Sequence, residues 1–275
     1  MKKKTKYKLK NSIILIVFIV CFIFFIISLF NILKWKFDSH ETEIQIEKIH
    51  EEIVIEEISD TENTEIIEQV EVIPKFNPYW DYIKMNMINV NFTDLKETNN
   101  HTMGWIQVNG TNINYPFVQT KDNKYYLNHT FDKSYNEAGW VFSDYRNKLD
   151  GTDKNTIIYA HGRIDTTMFG SLKNILKSGW LKNSNNYVVK LSTEYENTLW
   201  QVFSVYHIPT TSDYIQTEFR SENEYQTLLS TLINRSSYNF NTSVDSSDNI
   251  LTLSTCYNED DKVVLHAKLI KKETR

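Results

Sequence analysis

The chain has 275 residues, 41% of them hydrophobic, and carries 30 basic and 35 acidic side chains for a formal net charge of −5. This apolar fraction excludes a wholly disordered chain, and 7 Gly with 4 Pro exclude a collagen-like or Pro/Gly-rich composition. Two cysteines are too few for a disulfide-knitted scaffold or for a zinc site built from four cysteines.

The charges are segregated along the chain. Six lysines lie within a basic tail at 1–10, where no acidic residue occurs. Residues 38–71 hold 13 acidic side chains and a single lysine, whereas 72–275 have a net charge of only −1. Because the basic cluster is terminal and adjoins an apolar run, the pattern is not typical of nucleic-acid binding, and no nucleic-acid partner is expected.

An apolar run over 13–30 predicts a transmembrane helix over 11–34, since a helix needs about 20 residues to cross the hydrocarbon core of a bilayer. A cleaved signal peptide is the alternative, but its apolar core is shorter, about 7–15 residues, and a small-residue cleavage site follows it. Here Lys34 and Trp35 follow. The lysines before the run favour a single-pass protein of the cell membrane, with a cytoplasmic N terminus and an extracellular remainder.

Residues 35–75 form an acidic segment without glycine. Like charges repel one another, so the composition predicts an extended spacer outside the membrane. The spacing of Ile46, Ile49 and Ile53 approaches that of one helix face, which leaves a helical or coiled-coil stalk as the alternative.

Residues 76–275 are predicted to form the globular domain. Apolar residues at helical spacing predict helices over 78–91, 166–176 and 222–234. Eight short alternating segments bounded by Asn, Gly and Asp predict strands, at 104–108, 113–118, 139–144, 156–160, 187–191, 198–207, 250–255 and 263–270. Short strands joined mostly by loops predict a mainly β fold with flanking helices, in which the strands close a barrel.

Two of these predicted strands end in residues that carry chemistry. The strand over 156–160 leads into His161, and the strand over 250–255 leads into Cys256, the only cysteine outside the apolar run. A thiolate is a nucleophile, and a neighbouring imidazole can activate it or protonate a leaving amine. An intermolecular disulfide, or a structural cysteine beside an incidental histidine, is the alternative. The sequence shows no glycine-rich phosphate loop and no metal-ligand cluster, so neither a cofactor nor a metal is expected.

The globular region resembles the class B sortases over nearly all of its length. The TLSTC pentapeptide and the IIYAHG segment about 95 residues before it are the most specific features. The helix over 222–234 lies where class B members carry one. The matching stretches are GWIQVNGTNINYPFVQTKDNKYYLNHTF (104–131), AGWVFSDYRN (138–147), NTIIYAHGRIDTTMFGSL (155–172) and TLSTCYNEDDKVVLHAKL (252–269).

The resemblance implies an eight-stranded sortase-like β-barrel that acts as a cysteine transpeptidase outside a Gram-positive membrane. Cys256 would attack a carbonyl in the C-terminal sorting motif of a secreted protein and form a thioacyl-enzyme. His161 would protonate the departing amine and deprotonate the incoming one, supplied by a peptidoglycan precursor. In the alternative of a pilin-polymerising enzyme, a pilin lysine is the acceptor.

The family's third catalytic residue is an arginine, four residues before the position that His266 holds here, and this chain has Lys262 instead. Arginine offers a planar fork of donors, whereas lysine is a point charge. We expect Lys262 to replace the arginine in part. The alternatives are a supplementary donor, such as Arg163 or a backbone N–H, and a shifted alignment at this loop. A further alternative is a weakly active module that binds sorting peptides without turnover.

The resemblance also implies the residues that contact the sorting peptide. For Leu127 and Ile215, ordinary core packing is the alternative. Asp144 in FSDYRN is interpreted as a supporting residue rather than a member of the catalytic set. The expected substrate-binding residues are Asn123, Leu127, Thr210, Tyr214, Ile215 and Ser254.

Overall fold

The computed structural model describes residues 2–60, 64–67, 82–256 and 260–275, with side chains from residue 13 onward, and divides into two compact units, Met1–Ile44 and Gln45–Arg275. The helices are α1 (Lys2–Glu52), α2 (Thr93–Thr98), α3 (Ser178–Leu181) and α4 (Glu222–Arg235), with 3₁₀ segments at Tyr125–Leu127, Gly170–Leu176 and Ser184–Asn186. The strands are β1 (Ile55–Ile58), β2 (Thr64–Ile66), β3 (Met87–Val90), β4 (Thr102–Val108), β5 (Asn114–Val118), β6 (Phe142–Ser143), β7 (Asn155–Tyr159), β8 (Val188–Thr193), β9 (Glu196–Pro209), β10 (Ile250–Cys256) and β11 (Asp261–Thr274).

The first unit is helical. Within the described part of the chain, α1 is the one helix that is long and apolar enough to cross a membrane, and the apolar side chains of 13–30 are exposed. A helix whose large apolar side chains are exposed all round suits a lipid environment. It is therefore a candidate membrane anchor, as the sequence predicts.

Residues 38–52 are helical, so the prediction of an extended spacer is wrong there. Ile46, Ile49 and Ile53 pack against the core of the second unit, and Ile49 is only 6% exposed. Burial of this apolar face favours the helix over the extended form that charge repulsion predicts. Residues 61–63 and 68–75 of the same segment lie outside the described residues, and the domain boundary at residue 76 stays a prediction.

The predicted helix over 78–91 is wrong over 83–91, and Tyr82 is its one described residue that is helical. Met87, Ile88 and Val90 are buried in β3, which pairs antiparallel with β1. The same apolar residues suit a strand once a partner strand is present, so tertiary pairing overrides the local helical spacing. Residues 78–81 of this prediction lie outside the described residues.

Eight strands close the barrel in the order β10-β7-β6-β5-β4-β8-β9-β11, and β11 pairs back with β10. Each of the eight predicted strand segments overlaps one of these strands, so the predicted mainly β, eight-stranded barrel is confirmed. The short strand β2 extends the sheet by pairing with the end of β11.

The helix α4 confirms the prediction over 222–234. Ser221 caps its first turn by accepting a hydrogen bond from the backbone N–H of Glu224, and Arg235 lies in its last turn. Its buried residues form a second core with side chains from β9, β10 and β11, which include Tyr225, Leu228, Leu229, Leu232, Phe203, Ile250 and Val264.

The predicted helix over 166–176 is only partly present. Thr166 and Met168 have φ angles of 66° and 51°, a left-handed conformation that a right-handed helix cannot include. The helical part begins at Gly170 and is a 3₁₀ segment. The left-handed turn at Thr166 and Met168 therefore separates the segment that carries His161 from this 3₁₀ segment.

His266 is a fully buried residue of β11. Its Nδ1 lies 2.9 Å from the Thr252 hydroxyl and its Nε2 lies 2.8 Å from the Tyr206 hydroxyl. Burial, with a smaller effect from the Arg235 charge, lowers the pKa of His266 from 6.5 to about 3. The ring is therefore neutral in the folded barrel at physiological pH.

We predict that this histidine makes the barrel sensitive to acid. Between pH 6.5 and 3, the unfolded chain binds a proton at His266 that the folded chain does not bind. The free energy of unfolding should therefore fall as the pH drops, by up to about 1.4 kcal/mol per pH unit from this group. Denaturant titrations between pH 7 and pH 4.5 should show a shallower fall for His266→Gln than for wild type. Equal slopes would contradict the assignment.

Candidate active site

A groove of about 620 Å³ opens beyond the ends of β7 and β10. All nine residues that the sequence singled out for the site line it, namely Asn123, Leu127, His161, Thr210, Tyr214, Ile215, Ser254, Cys256 and Lys262. The fold thus brings together residues that are up to 139 positions apart in the chain. Their individual roles stay predictions.

The parallel pairing of β7 with β10 places Cys256 beside His161. The last paired residues are Tyr159 and Ser254, so His161 and Cys256 each lie two residues beyond the same rung. The Thr255 hydroxyl donates a hydrogen bond to the Ala160 carbonyl at 2.8 Å, which holds the two chains together past that rung.

Gly162 allows the two backbones to touch. A Cβ at this position would lie 2.1 Å from the backbone oxygen of Cys256, far closer than any real Cβ contact. Only glycine fits such a close backbone approach. The glycine that follows His161 is therefore a requirement of the site geometry.

Lys262 is the direct cross-strand partner of Cys256. The two residues oppose each other in the antiparallel pair β10–β11, and Lys262 Nζ donates to Cys256 Sγ at 2.9 Å. Arg163, the alternative donor, forms an ion pair with Asp165 at 2.7 Å and is not among the described residues that line the groove. The cation at the sulfur is therefore the lysine.

His161 is oriented by a backbone carbonyl. Its Nε2 lies 2.7 Å from the Leu127 carbonyl oxygen. A carbonyl oxygen can only accept, so Nε2 donates, and in the neutral ring Nδ1 is the nitrogen that can take up a proton.

The walls of the groove are anchored by hydrogen bonds. Tyr214 is 2% exposed and its hydroxyl lies 2.8 Å from the Ser254 hydroxyl; burial raises the pKa of this phenol. Thr210 donates from both its backbone N–H and its hydroxyl to the Asp260 carbonyl. Leu127 is 42% exposed, so it is an open apolar wall rather than a core residue.

Sequence reasoning missed six lining residues. Tyr159 belongs to the strand that carries His161, and its position two residues before the histidine was the available signal. Thr211 and Ser212 lie in a loop whose path only the fold defines. The six are Phe142, Tyr159, Ala160, Thr211, Ser212 and Thr255.

Asp144 lies next to the groove as a buried carboxylate. Burial raises its pKa, but hydrogen bonds from Arg146, Tyr159 and Asn123 more than offset this effect, so the pKa lies below its ordinary value. The carboxylate is therefore ionised and can only accept hydrogen bonds.

The eight-stranded barrel carries a cysteine, a histidine and a lysine at one groove. Comparison with known proteins identifies its family. A family model described as "Sortase domain" matches residues 106–270. The curated "Sortase B" of Staphylococcus aureus (strain NCTC 8325 / PS 47) is 37% identical over 184 residues, which span 66% of this chain and 75% of that protein.

Solved structures agree. The sortase B from Bacillus anthracis in complex with AAEK2 has a TM-score of 0.66 and 32% identity, covering 86% of this chain and 97% of that chain. A sortase B complexed with triglycine has a TM-score of 0.62 and 35% identity, covering 66% of this chain and 85% of that chain. The chain therefore belongs to the sortase family, as a class B member, and is a transpeptidase, which confirms the resemblance seen in the sequence.

We predict that Gly162→Ala abolishes most of the activity while the barrel stays folded. The added Cβ meets the backbone oxygen of Cys256 rather than a flexible side chain, so Cys256 must move. A displacement of about 1 Å can reduce a rate by about 100-fold. Gly179→Ala is the matched control, because no atom lies within 4 Å of a Cβ there. Peptide cleavage rates and melting temperatures of both variants check this, and a fully active Gly162→Ala would contradict it.

Proposed function

We propose that this chain is a membrane-anchored cysteine transpeptidase that cleaves the C-terminal sorting motif of secreted proteins and joins them to a cell-wall peptide amine. The observation that carries the proposal is the contact between Lys262 Nζ and Cys256 Sγ in a groove that His161 also lines. Acyl transfer through a thioester uses a thiol nucleophile, an imidazole that moves protons and a donor that stabilises the oxyanion, and a fixed cation can be that donor.

The first half-reaction is acylation of Cys256. The Lys262 ammonium stabilises the thiolate, which attacks the scissile carbonyl, and the same charge then faces the developing oxyanion. His161 takes the proton of the Cys256 thiol on Nδ1, since its Nε2 is engaged by the Leu127 carbonyl, and then donates that proton to the departing amine. The C–N bond breaks, a C–S bond forms, and the thioacyl-enzyme remains.

The second half-reaction is transfer to an amine. His161, neutral after the first step, takes a proton from the incoming amine, which then attacks the thioester and releases the Cys256 thiolate. A similar sortase B carries triglycine, which supports a peptide amine as the acceptor for this chain as well.

The N-terminal helix supports the proposed location at a membrane. The apolar part of α1 is long enough to span a bilayer, and the lysines before it favour a cytoplasmic N terminus. The groove would then lie outside the cell, where exported proteins and cell-wall precursors are available.

We predict that Cys256→Ala removes all cleavage of a sorting-type peptide. The methyl side chain of alanine leaves no thiol in the groove, and the other lining residues cannot form the thioester. A peptide library incubated with full-length protein and analysed by mass spectrometry identifies both the activity and the recognised sequence. Unchanged cleavage by Cys256→Ala would contradict the proposed mechanism.

We further predict that Lys262→Ala lowers kcat/KM by about 100-fold, the usual effect of removing one donor from a developing oxyanion. Lys262→Arg should retain activity equal to or above that of wild type, because the fork supplies the same charge with an additional donor. Lys177→Ala is the control, since Lys177 contacts Asn174 and does not line the groove. If Lys262→Ala and wild type turn over equally, Lys262 has no catalytic part.

A further inference from the structure

A hydrogen-bonded network centred on Asp144 contacts two residues that line the groove, Asn123 and Tyr159. The Asp144 side chain is fully buried and accepts five hydrogen bonds. Its Oδ1 accepts from the backbone N–H and Nε of Arg146, at 3.0 and 2.8 Å. Its Oδ2 accepts from Arg146 Nη2, Asn123 Nδ2 and the Tyr159 hydroxyl, at 2.7, 2.9 and 2.9 Å. With so many donors in place, the carboxylate has no capacity left for a substrate group.

Arg146 extends the network to a second segment of the groove. Its Nη2, which already donates to Asp144, also donates to the Ile215 carbonyl oxygen at 2.9 Å. Ile215 lies in the loop between β9 and α4 that also carries Thr210 and Tyr214. A single guanidinium thus links the segment that carries Asn123 to the segment that carries Ile215.

The ionised carboxylate also fixes the polarity of two groove residues. Asn123 must turn its NH₂ group towards Asp144, and its Oδ1 accepts from the backbone N–H of Tyr145 at 3.0 Å. Tyr159 donates its single hydroxyl proton to Asp144. Asn123 therefore keeps its second N–H as a donor for the groove, and Tyr159 keeps its lone pairs as acceptors. One donor and one acceptor suit the C=O and N–H of peptide amides.

We propose that Asp144 and Arg146 are positioning residues for recognition of the sorting peptide, which orient Asn123 and Tyr159 and hold the Ile215 segment in place. The inference rests on the proposed function, because it names how that site recognises its substrate. None of the hydrogen bonds of Asp144 and Arg146 among the described residues reaches Cys256, His161 or Lys262. Loss of the network should therefore weaken peptide binding and leave the thiol chemistry intact.

The test compares Arg146→Gln and Arg146→Lys with wild type as full-length protein in detergent, using the peptide that wild type selects from the library. Lysine keeps a charge beside the buried Asp144 but cannot contact both carboxylate oxygens and the Ile215 carbonyl together. We expect KM to rise about tenfold in both variants, with kcat within about twofold of wild type. The rate at which iodoacetamide alkylates Cys256 should not change.

Lys96→Gln is the control, because it removes an ion pair with Glu194 that is at the surface and away from the groove. It should leave KM, kcat and alkylation unchanged. If Arg146→Gln fails to fold, Arg146→Lys alone decides. A wild-type KM in Arg146→Lys, or a fall in kcat and alkylation at unchanged KM, would overturn the inference. If wild type shows no turnover, the proposed function is contradicted, and this inference with it. If wild type is active and the Arg146 variant has the same KM, only this inference is contradicted.

Discussion

Strand β10 pairs on both sides, in parallel with β7 and antiparallel with β11, and this double pairing determines the site. The parallel neighbour brings His161 to the same end of the barrel as Cys256. The antiparallel neighbour places Lys262 directly opposite Cys256, within hydrogen-bonding distance of its sulfur. Neither neighbour alone assembles the three groups. A shift of one residue in either register would turn the corresponding side chain to the other face of the sheet.

The barrel closes despite one weak seam. Strand β6 has two residues, and its pairing with β5 consists of one residue pair, Val118 with Phe142. Side-chain amides supply hydrogen bonds around this seam: Gln119 donates to the carbonyls of Asp144 and Asn147, and Asn147 pairs with the backbone of β7. These amide hydrogen bonds stabilise an irregular region, because unmet backbone groups would be costly there. The groove lies beside this seam, where the backbone is free to diverge from regular strands and form a cavity.

The sequence predicted the barrel and the site well because both depend on local patterns that survive folding. The eight strand segments alternate in polarity, and Cys256 and His161 each follow a β-branched strand, so their strands could be located without a structure. The segment before the barrel was harder to predict. The charges of residues 38–52 favour an extended chain, whereas burial of Ile46, Ile49 and Ile53 stabilises a helix there. The residues of β3 have helical spacing in the sequence, but they form a strand because they pair with β1. The contact of Lys262 with the sulfur and the link from Arg146 to Ile215 depend on strand register and loop path, which no local pattern encodes.

In the proposed mechanism, the groove places a carbonyl of the bound peptide against the Cys256 thiolate, beside Lys262 and His161. The most direct measurement is intact-mass and peptide-map spectrometry of the full-length protein, quenched in acid during turnover of a selected peptide without an amine acceptor. The mechanism predicts an acyl adduct on Cys256 whose added mass equals the N-terminal peptide acid less one water. Hydroxylamine should release it, because it is a thioester. Cleavage of the peptide with no such adduct, or an adduct on another residue, would contradict it.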